Sequence, residues 1–475
     1  MAATQFRAGV GRATITPPLT VPHAGWGAQT HVYPEGIETD LWSTVLVLED
    51  GRARAAIVDL DLVTISTQES QAIAAEVAGI LGIAPDAVRV SVTHNHTGPP
   101  PSRSDWRGGT EALQRYYRSL PEFSAGAARI ALANLRPARI AIGSGQSRVA
   151  VNRREDAPGG RIATGVNFGG TIDPEVFVLR IDDTDAAPLA AIVGYTMHPT
   201  TAGPTFRRIT ADWPGHLKRT VEQLTGATCL FAQGATGNIG PGPEGFTDDA
   251  GVLRRLGMLV GCEATRVYLE TRVPPVEFVH ERVWESGSSL GKWAARPVQG
   301  PEPIVRSRMV QLSLPIRPQP PVPEAEARLR DAERTLQGLV ARGAPEAEIE
   351  AATFVTKRAN MTLTRARTFG GRSEYPADLH LLRLGPVVLA AVANEPFAEI
   401  GLAVKAASPF PYTWFGGYVG GWGGYIPTAE EYPRGGYEVD TSPFAPEAAA
   451  RLVDGTIAAL RTFHQDTDAT GHGAR

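Results

Sequence analysis

Apolar positions in this chain fall into short continuous runs separated by helical stretches. Residues 55–63 read as an apolar strand, Ser66 with Glu69 forms a capping-box pattern ahead of a helix reaching about Leu81, and Val88–Val92 read as a second apolar strand. A strand–helix–strand unit favours a parallel pair, which places His94 at the carboxyl end of its second strand, the edge where open α/β sheets collect ligands. The same order recurs. Residues 189–195 form an apolar run entering Met197-His198-Pro199, a helical stretch over 214–224 leads to a strand over 228–232, and that strand opens into the glycine-rich turn Gly234–Gly240. Further on, Val387–Val392 deliver Asn394-Glu395-Pro396 ahead of another helical stretch. Residues 323–342 and 345–367, rich in Ala, Glu, Arg and Leu, predict a helical hairpin broken at Gly343-Ala344-Pro345. The pattern implies an α/β fold with mixed or parallel β-sheets flanked by helices, in one domain over 1–464 with the hairpin of 323–367 inserted as an arm. Pro- and Arg-rich residues 293–323 read as a surface connection, and 465–475 as a disordered tail.

Composition changes this picture little. The 475 residues are 43% hydrophobic and 20% charged, ordinary for a globular chain with a sizeable core. A net charge of -4 and the absence of a Lys/Arg cluster interleaved with aromatics argue against nucleic-acid binding. Two cysteines, Cys229 and Cys262, cannot supply a disulfide framework or a cysteine-based zinc site. No apolar run approaches a transmembrane segment, and the first residues lack the apolar core of a signal peptide, so a cytoplasmic location is expected.

The candidate chemistry sits at strand ends. In Val90-Ser-Val-Thr-His94-Asn-His96-Thr-Gly-Pro99 two imidazoles leave an apolar strand one residue apart, and imidazole is both the commonest metal ligand and the group best suited to proton transfer near neutral pH. His94, His198 and Glu395 follow three different apolar strands, which a structural role explains less readily than it explains one. Each residue alone also admits a plain role. Glu395 can be a helix-start carboxylate and His198 a packed strand-end residue. His96 can hold a loop carbonyl, Tyr425 can be a turn aromatic, and Arg153 beside Arg154 a surface charge. Among the tryptophans, Trp26, Trp106, Trp213 and Trp422 are candidates for a cleft lining or for packing.

Taken in order, His94-Asn-His96-Thr-Gly-Pro, Met197-His198-Pro-Thr-Thr, Asn394-Glu395-Pro-Phe and Gly424-Tyr425-Ile-Pro-Thr-Ala-Glu-Glu-Tyr432 resemble the neutral/alkaline ceramidase family, as do Gly9-Val-Gly-Arg-Ala-Thr-Ile-Thr-Pro17 and Val151-Asn-Arg153. The resemblance runs from residue 7 to about 460 and implies the family's catalytic domain. It implies one zinc ion per chain, held by His94, His198, Glu395 and Tyr425, with His96, Arg153 and Tyr437 lining the active site. A site of two imidazoles and one carboxylate would lower the pKa of bound water toward ~7. Arg153 or Tyr437 would then stabilise an oxyanion and His96 would pass a proton to the leaving group.

The resemblance has gaps. Gly237-Asn238-Ile239-Gly240-Pro241 stands where ceramidases have Gly-Asp-x-Ser-Pro, so Gly240 replaces their Ser and Asn238 their Asp; Glu38 stands where the family commonly has His. The expectation is a zinc-dependent amidohydrolase cleaving a linear N-acyl amide, either a ceramide-like lipid of sphingolipid metabolism or a smaller N-acyl compound. A zinc esterase or lactonase on the same scaffold, or a non-catalytic ligand-binding homologue, is the alternative.

Overall fold

The computed structural model describes residues 5–29, 31–102, 109–300, 302 and 304–472, with side chains through residue 467; Trp106 lies outside the described residues. The first predicted unit forms as expected. Strand Arg54–Leu60 leads through helix α1 (Thr67–Leu81) to strand Val88–Val92, and the two strands pair in parallel. Both halves of the capping box are present: Glu69 N–H donates to Ser66 Oγ, and Glu69 Oε2 accepts from Ser66 N–H at 2.7 Å. Gly82, in the left-handed region at φ 63°, ends the helix.

These strands form one edge of an eight-stranded mixed sheet. Its order is Thr228–Gln233, Pro188–Tyr195, Glu175–Asp183, Arg136–Gln146, Arg7–Thr14, Trp42–Glu49, Arg54–Leu60, Val88–Val92. The opposite edge repeats the grammar, with Pro188–Tyr195 and Thr228–Gln233 parallel and connected through α3 (Asp212–Thr225). Helix α2 (Thr110–Ala133) lies so close to strand Arg7–Thr14 that a β-carbon on Gly9 or Gly11 would run into the carbonyls of Ala131 and Ala127. Helix α4 (Ala250–Glu270) packs against α3 with the same intimacy, Gly257 lying over His216 and Trp213.

The sheet curls until its two ends meet, and a buried ion cluster joins them. Lys218 Nζ on α3 lies 2.6 Å from Asp61 Oδ1 and 3.3 Å from Asp59 Oδ2, and Asp59 Oδ2 also accepts the backbone N–H of Phe231 at 3.0 Å. A lysine fully out of water needs such partners. The cluster sets the carboxyl ends of strands from both edges beside one another, which is what lets His94 and His198 converge.

A four-stranded sheet, in the order Val305–Pro315, Glu374–Leu384, Val387–Val392, Tyr412–Gly416, stacks on the first. Leu382, Leu384, Leu389 and Trp414 of this sheet share one core with Leu46, Ile57, Leu179 and Leu230 of the other. Strand Val305–Pro315 falls inside the stretch expected to be a surface connection; it is an edge strand whose outward positions are polar, so its composition hides it. A ribbon of Val276–Glu285 and Ser289–Pro297 precedes it. The predicted arm is present as α5 (Val322–Ala341) and α6 (Glu346–Phe369). Helix α7 (Ala398–Ala407) follows Glu395, and the short α8 (Tyr437–Thr441) follows the glycine-rich stretch 416–424. The closing helix α9 (Ala448–His472) runs through most of the polar residues expected to be a disordered tail, its inward face held by Leu452, Leu460 and Phe463. No helix among the described residues is long and apolar enough to cross a membrane.

Candidate metal centre and active site

His94 is the second residue beyond Val88–Val92 and takes φ 69°, a left-handed backbone unusual for a side-chain-bearing residue. The turn aims its ring inward, where Nδ1 lies 2.5 Å from the carbonyl oxygen of Val63. His198 is anchored in the same way, Nδ1 to the carbonyl of Thr236 at 3.1 Å. A carbonyl can only accept, so both Nδ1 atoms carry hydrogen and both Nε2 atoms carry lone pairs in the neutral rings. These two Nε2 atoms face each other at 3.1 Å. His96 brings its own Nε2 to 3.3 Å from that of His94, and the ligand atoms of His94, His96 and His198 all lie within 4.8 Å of one another.

Glu395 completes the group. Its Oε2 lies 3.5 Å from His94 Nε2 and 3.7 Å from His198 Nε2, while Oε1 accepts from Trp422 Nε1 at 2.7 Å. Burial pushes this carboxyl up, but His94, the indole hydrogen bond and the Arg153 charge outweigh burial and hold it down to about 2. Burial drives two of the imidazoles the other way: His96 falls to about 3 and His198 well below the ordinary range, the charge of Arg153 adding to the effect. The result is a buried carboxylate beside the neutral imidazoles of His96 and His198, with His94 Nε2 turned to the same point. Such a group could hold a divalent cation, and carbonyl bonds to both Nδ1 atoms are of the kind that orient imidazole ligands.

Tyr425 pairs in parallel register with Glu395, and its hydroxyl accepts from Arg153 Nη2 at 3.1 Å. Arg153 is not one of two surface charges: it is buried, and its Nε donates to Glu438 Oε1 at 2.8 Å. Arg154 donates to Glu438 Oε2 at 2.8 Å, so one carboxylate fixes two adjacent guanidiniums. Tyr437, at the start of α8, places its ring 5.8 Å from that of Tyr425 and stays 38% exposed, at the mouth of the site. The seven candidate residues, His94 and His96 on one segment and the other five each on its own, therefore come to one region.

Several contributors were not foreseen in these roles. Tyr418 donates to Glu395 Oε2 at 3.3 Å and pairs with Thr236 Oγ1 at 2.6 Å; Trp422 orients the same carboxylate; Glu438 organises the arginines. Trp26 covers His96 with ring centroids 5.0 Å apart, whereas Trp213 is buried core. Asn238 has a structural role, its Oδ1 accepting from Ala398 N–H at the start of α7 and its Nδ2 donating to Glu399 at 2.9 Å. Glu38 stands apart from the imidazole group, 3.3 Å from His216 Nε2.

The architecture defines a class: an α/β protein with a buried imidazole–carboxylate centre at converging strand ends. Residues 6–242 match the family described as neutral/alkaline non-lysosomal ceramidase, N-terminal, and the chain belongs to that family. It is similar to the neutral ceramidase of Pseudomonas aeruginosa, with 24% identity over 529 residues that span 98% of this chain and 73% of the relative. The crystal structure of neutral ceramidase from Pseudomonas aeruginosa has the same fold at TM-score 0.68 and 20% identity, covering 97% of this chain and 75% of that one. A structure of a ceramidase complexed with C2 matches at TM-score 0.69 and 18% identity, covering 98% and 76%. Family and fold support an amide-hydrolysing, ceramidase-like function, and the buried group His94, His96 and His198 can bind a metal.

Proposed function

We propose that the protein is a zinc-dependent hydrolase that cleaves a linear N-acyl amide bond. The observation that carries this reading is the opposed Nε2 pair of His94 and His198, each with its Nδ1–H committed to a carbonyl. Two lone pairs at 3.1 Å repel unless a cation stands between their axes. His94, His198 and Glu395 would hold the ion, with Tyr425 beside them. When bound, zinc supplies Lewis acidity at the scissile carbonyl and makes water acidic enough to attack at neutral pH.

The chain's own residues do the rest. Arg153, whose buried charge is secured by Tyr425 and Glu438 against the cost of desolvation, presents a fixed cation where a tetrahedral oxyanion would form. Tyr437 borders the same space with a free-facing phenol. His96 sits beside the ligands with Nδ1 unpaired within the protein, so it can take a proton and return it to the leaving amine. Trp26 above it and the buried surroundings keep bulk water away from that exchange.

A second assignment for His96 is favoured by one observation, the grouping of three imidazoles within 4.8 Å of one another, which would make it a third ligand instead of a proton carrier. Elemental analysis separates the two. Near-stoichiometric zinc is expected in the wild type, little in His198→Ala, and wild-type levels in His96→Ala if His96 carries protons. A panel of fluorogenic N-acyl amides and matching esters, run with and without chelator, tests the reaction. Amide cleavage abolished by chelator and restored by zinc is expected; equal zinc in wild type and His198→Ala, or turnover indifferent to chelator, overturns the reading. Ester cleavage alone points to the esterase or lactonase alternative, and tight binding without turnover to the non-catalytic one.

A further inference from the structure

Helix α6 crosses the mouth of the site, and two consecutive residues on it reach opposite walls. Lys357 Nζ donates to the carbonyl of Gly27, next to Trp26, whose ring covers His96. Arg358 pairs with Asp440 Oδ2 on α8, and its guanidinium carbon lies 5.7 Å from the ring centroid of Tyr437. Since the Tyr437 ring is 5.8 Å from that of Tyr425, Arg358 stands one aromatic ring beyond Tyr425, which borders the proposed metal group.

Charge on this wall does not balance. Arg317 and Arg365 each donate to the main-chain carbonyl of Asp440, so three guanidiniums gather on a residue that brings one carboxylate. Among the described residues no second acid pairs with any of the three. The neighbouring Glu438 is already taken up by Arg153 and Arg154, and Gln319, which accepts from Arg365, is neutral. Arg358 Nη1 is buried and has no acceptor within the protein. Burial, then the repulsion of Arg317 and Arg358, pushes Arg365 down to about 10. A chain with a net charge of -4 thus concentrates surplus positive charge at the rim of its proposed active site, with one N–H group left to give.

We infer that the substrate is an N-acyl compound carrying an anionic group several bonds from the scissile amide, and that Arg358, backed by Arg317 and Arg365, binds that anion. The inference rests on the hydrolase reading for the bond that is cut, and on the arginine cluster alone for the charge. Phe354, 61% exposed and 5.4 Å from the Arg358 guanidinium, gives the same wall an apolar face against which methylene carbons can lie. A neutral sphingoid amide offers this cluster hydroxyl and carbonyl oxygens but no charge to balance it. A carboxylate or a phosphate does, since a guanidinium meets either with charge-assisted hydrogen bonds.

The test is calorimetric binding to the full chain, with chelator present so that neither turnover nor metal–carboxylate coordination contributes. The ligands are N-decanoyl amides of ω-amino acids of graded length, each beside its uncharged carboxamide, and N-decanoyl phosphoethanolamine. One charged length is expected to bind about 10-fold or more tighter than its carboxamide. Arg358→Met should collapse that ratio, and Arg358→Lys should recover part of it. Preference for the phosphate compound supports the same site and identifies the anion. Equal binding of charged and uncharged ligands at every length by the wild type, which needs no variant, overturns the inference, as does a ratio that survives in Arg358→Met. Charge discrimination in binding without hydrolysis of any ligand in the zinc-loaded protein would sink the hydrolase reading alone.

Discussion

Trp422 donates its indole N–H to Glu395 Oε1 at 2.7 Å, which turns the other carboxylate oxygen, Oε2, toward the Nε2 atoms of His94 and His198. An acid held by one oxygen presents the second in a fixed direction, and contacts of this kind around metal ligands typically carry a 10–100-fold effect on affinity. Trp422→Phe keeps the ring and deletes the donor. Zinc affinity, measured by competition with a chromophoric chelator, is expected to fall by about 10-fold or more. Unchanged affinity would mean that the indole only packs.

Gly240 occupies the position where the resemblance places a serine, and its surroundings say what restoring that residue would do. A β-carbon at Gly240 would lie 3.2 Å from Arg153 Cβ and 3.7 Å from its Cδ. Arg153 cannot yield freely, because Glu438 and Tyr425 hold its guanidinium. Gly240→Ser is therefore expected to cost about 1–3 kcal/mol by overpacking and to lower N-acyl amide turnover. Thermal denaturation and the amide assay check this together; a gain in turnover would show that the missing hydroxyl limits the reaction.

Much of the candidate centre was legible because His94, His198 and Glu395 follow apolar strands. Val88–Val92 and Val387–Val392 are continuous buried runs, so the residues after them had to emerge at a sheet edge. The Ser66–Glu69 cap and the Gly343-Ala344-Pro345 break marked helix ends by local chemistry alone. What could not be read depends on contacts between distant residues. The link from Asp59 to Phe231 spans 172 positions, and without it nothing says that opposite edges of the sheet meet. Tyr418 and Trp422 lie in a glycine-rich loop with no periodicity, and Glu438 reads as one more surface acid until Arg153 and Arg154 are seen to share it. The arm was visible as two helices, but its place across the site was not. The strand Val305–Pro315 was masked by arginines and prolines suited to an edge.

Glu438 is the hinge of the arginine pair. Arg153, Arg154 and Glu438 are all buried, and the carboxylate gives one oxygen to each guanidinium. In Glu438→Gln, Arg154 keeps its pairing with Glu431 at 2.8 Å, so the loss falls on Arg153, which is left hydrogen-bonded only to neutral groups, the Tyr425 hydroxyl and at most the single amide oxygen of the new side chain. Breaking one side of a buried pair commonly costs about 3–5 kcal/mol. Chemical denaturation should show a loss of that order, and turnover should fall with it as Arg153 leaves its place. A loss well under 1 kcal/mol would mean that water reaches Arg153 and replaces the carboxylate.

Arg89 and His380 make the acid response predictable. Arg89 lies between the two sheets, 3% exposed, donating to the Leu389 carbonyl at 3.2 Å and lining an internal cavity of about 10 Å³ with Ser91 and Leu389. No carboxylate among the described residues pairs with it, and burial pushes the guanidinium down to about 9. His380 is buried nearby, pushed from 6.5 to about 3 by burial and then by the Arg89 charge. Its folded value lies below its unfolded one, so as pH falls the unfolded chain takes the proton first. Stability that is full above 6.5 is then lost progressively down to about 3, at up to about 1.4 kcal/mol per pH unit from this residue. Arg89→Met replaces an unpaired buried cation with an apolar chain of similar length, and a gain of roughly 1–3 kcal/mol near neutral pH is expected. The same change removes a charge that opposes His380 protonation, so the acid slope should flatten as the His380 value rises. Urea denaturation of wild type and Arg89→Met from about pH 7 to about pH 4 measures both effects. A variant that is less stable at neutral pH, or that loses stability faster on acidification, would show that Arg89 is compensated within the fold.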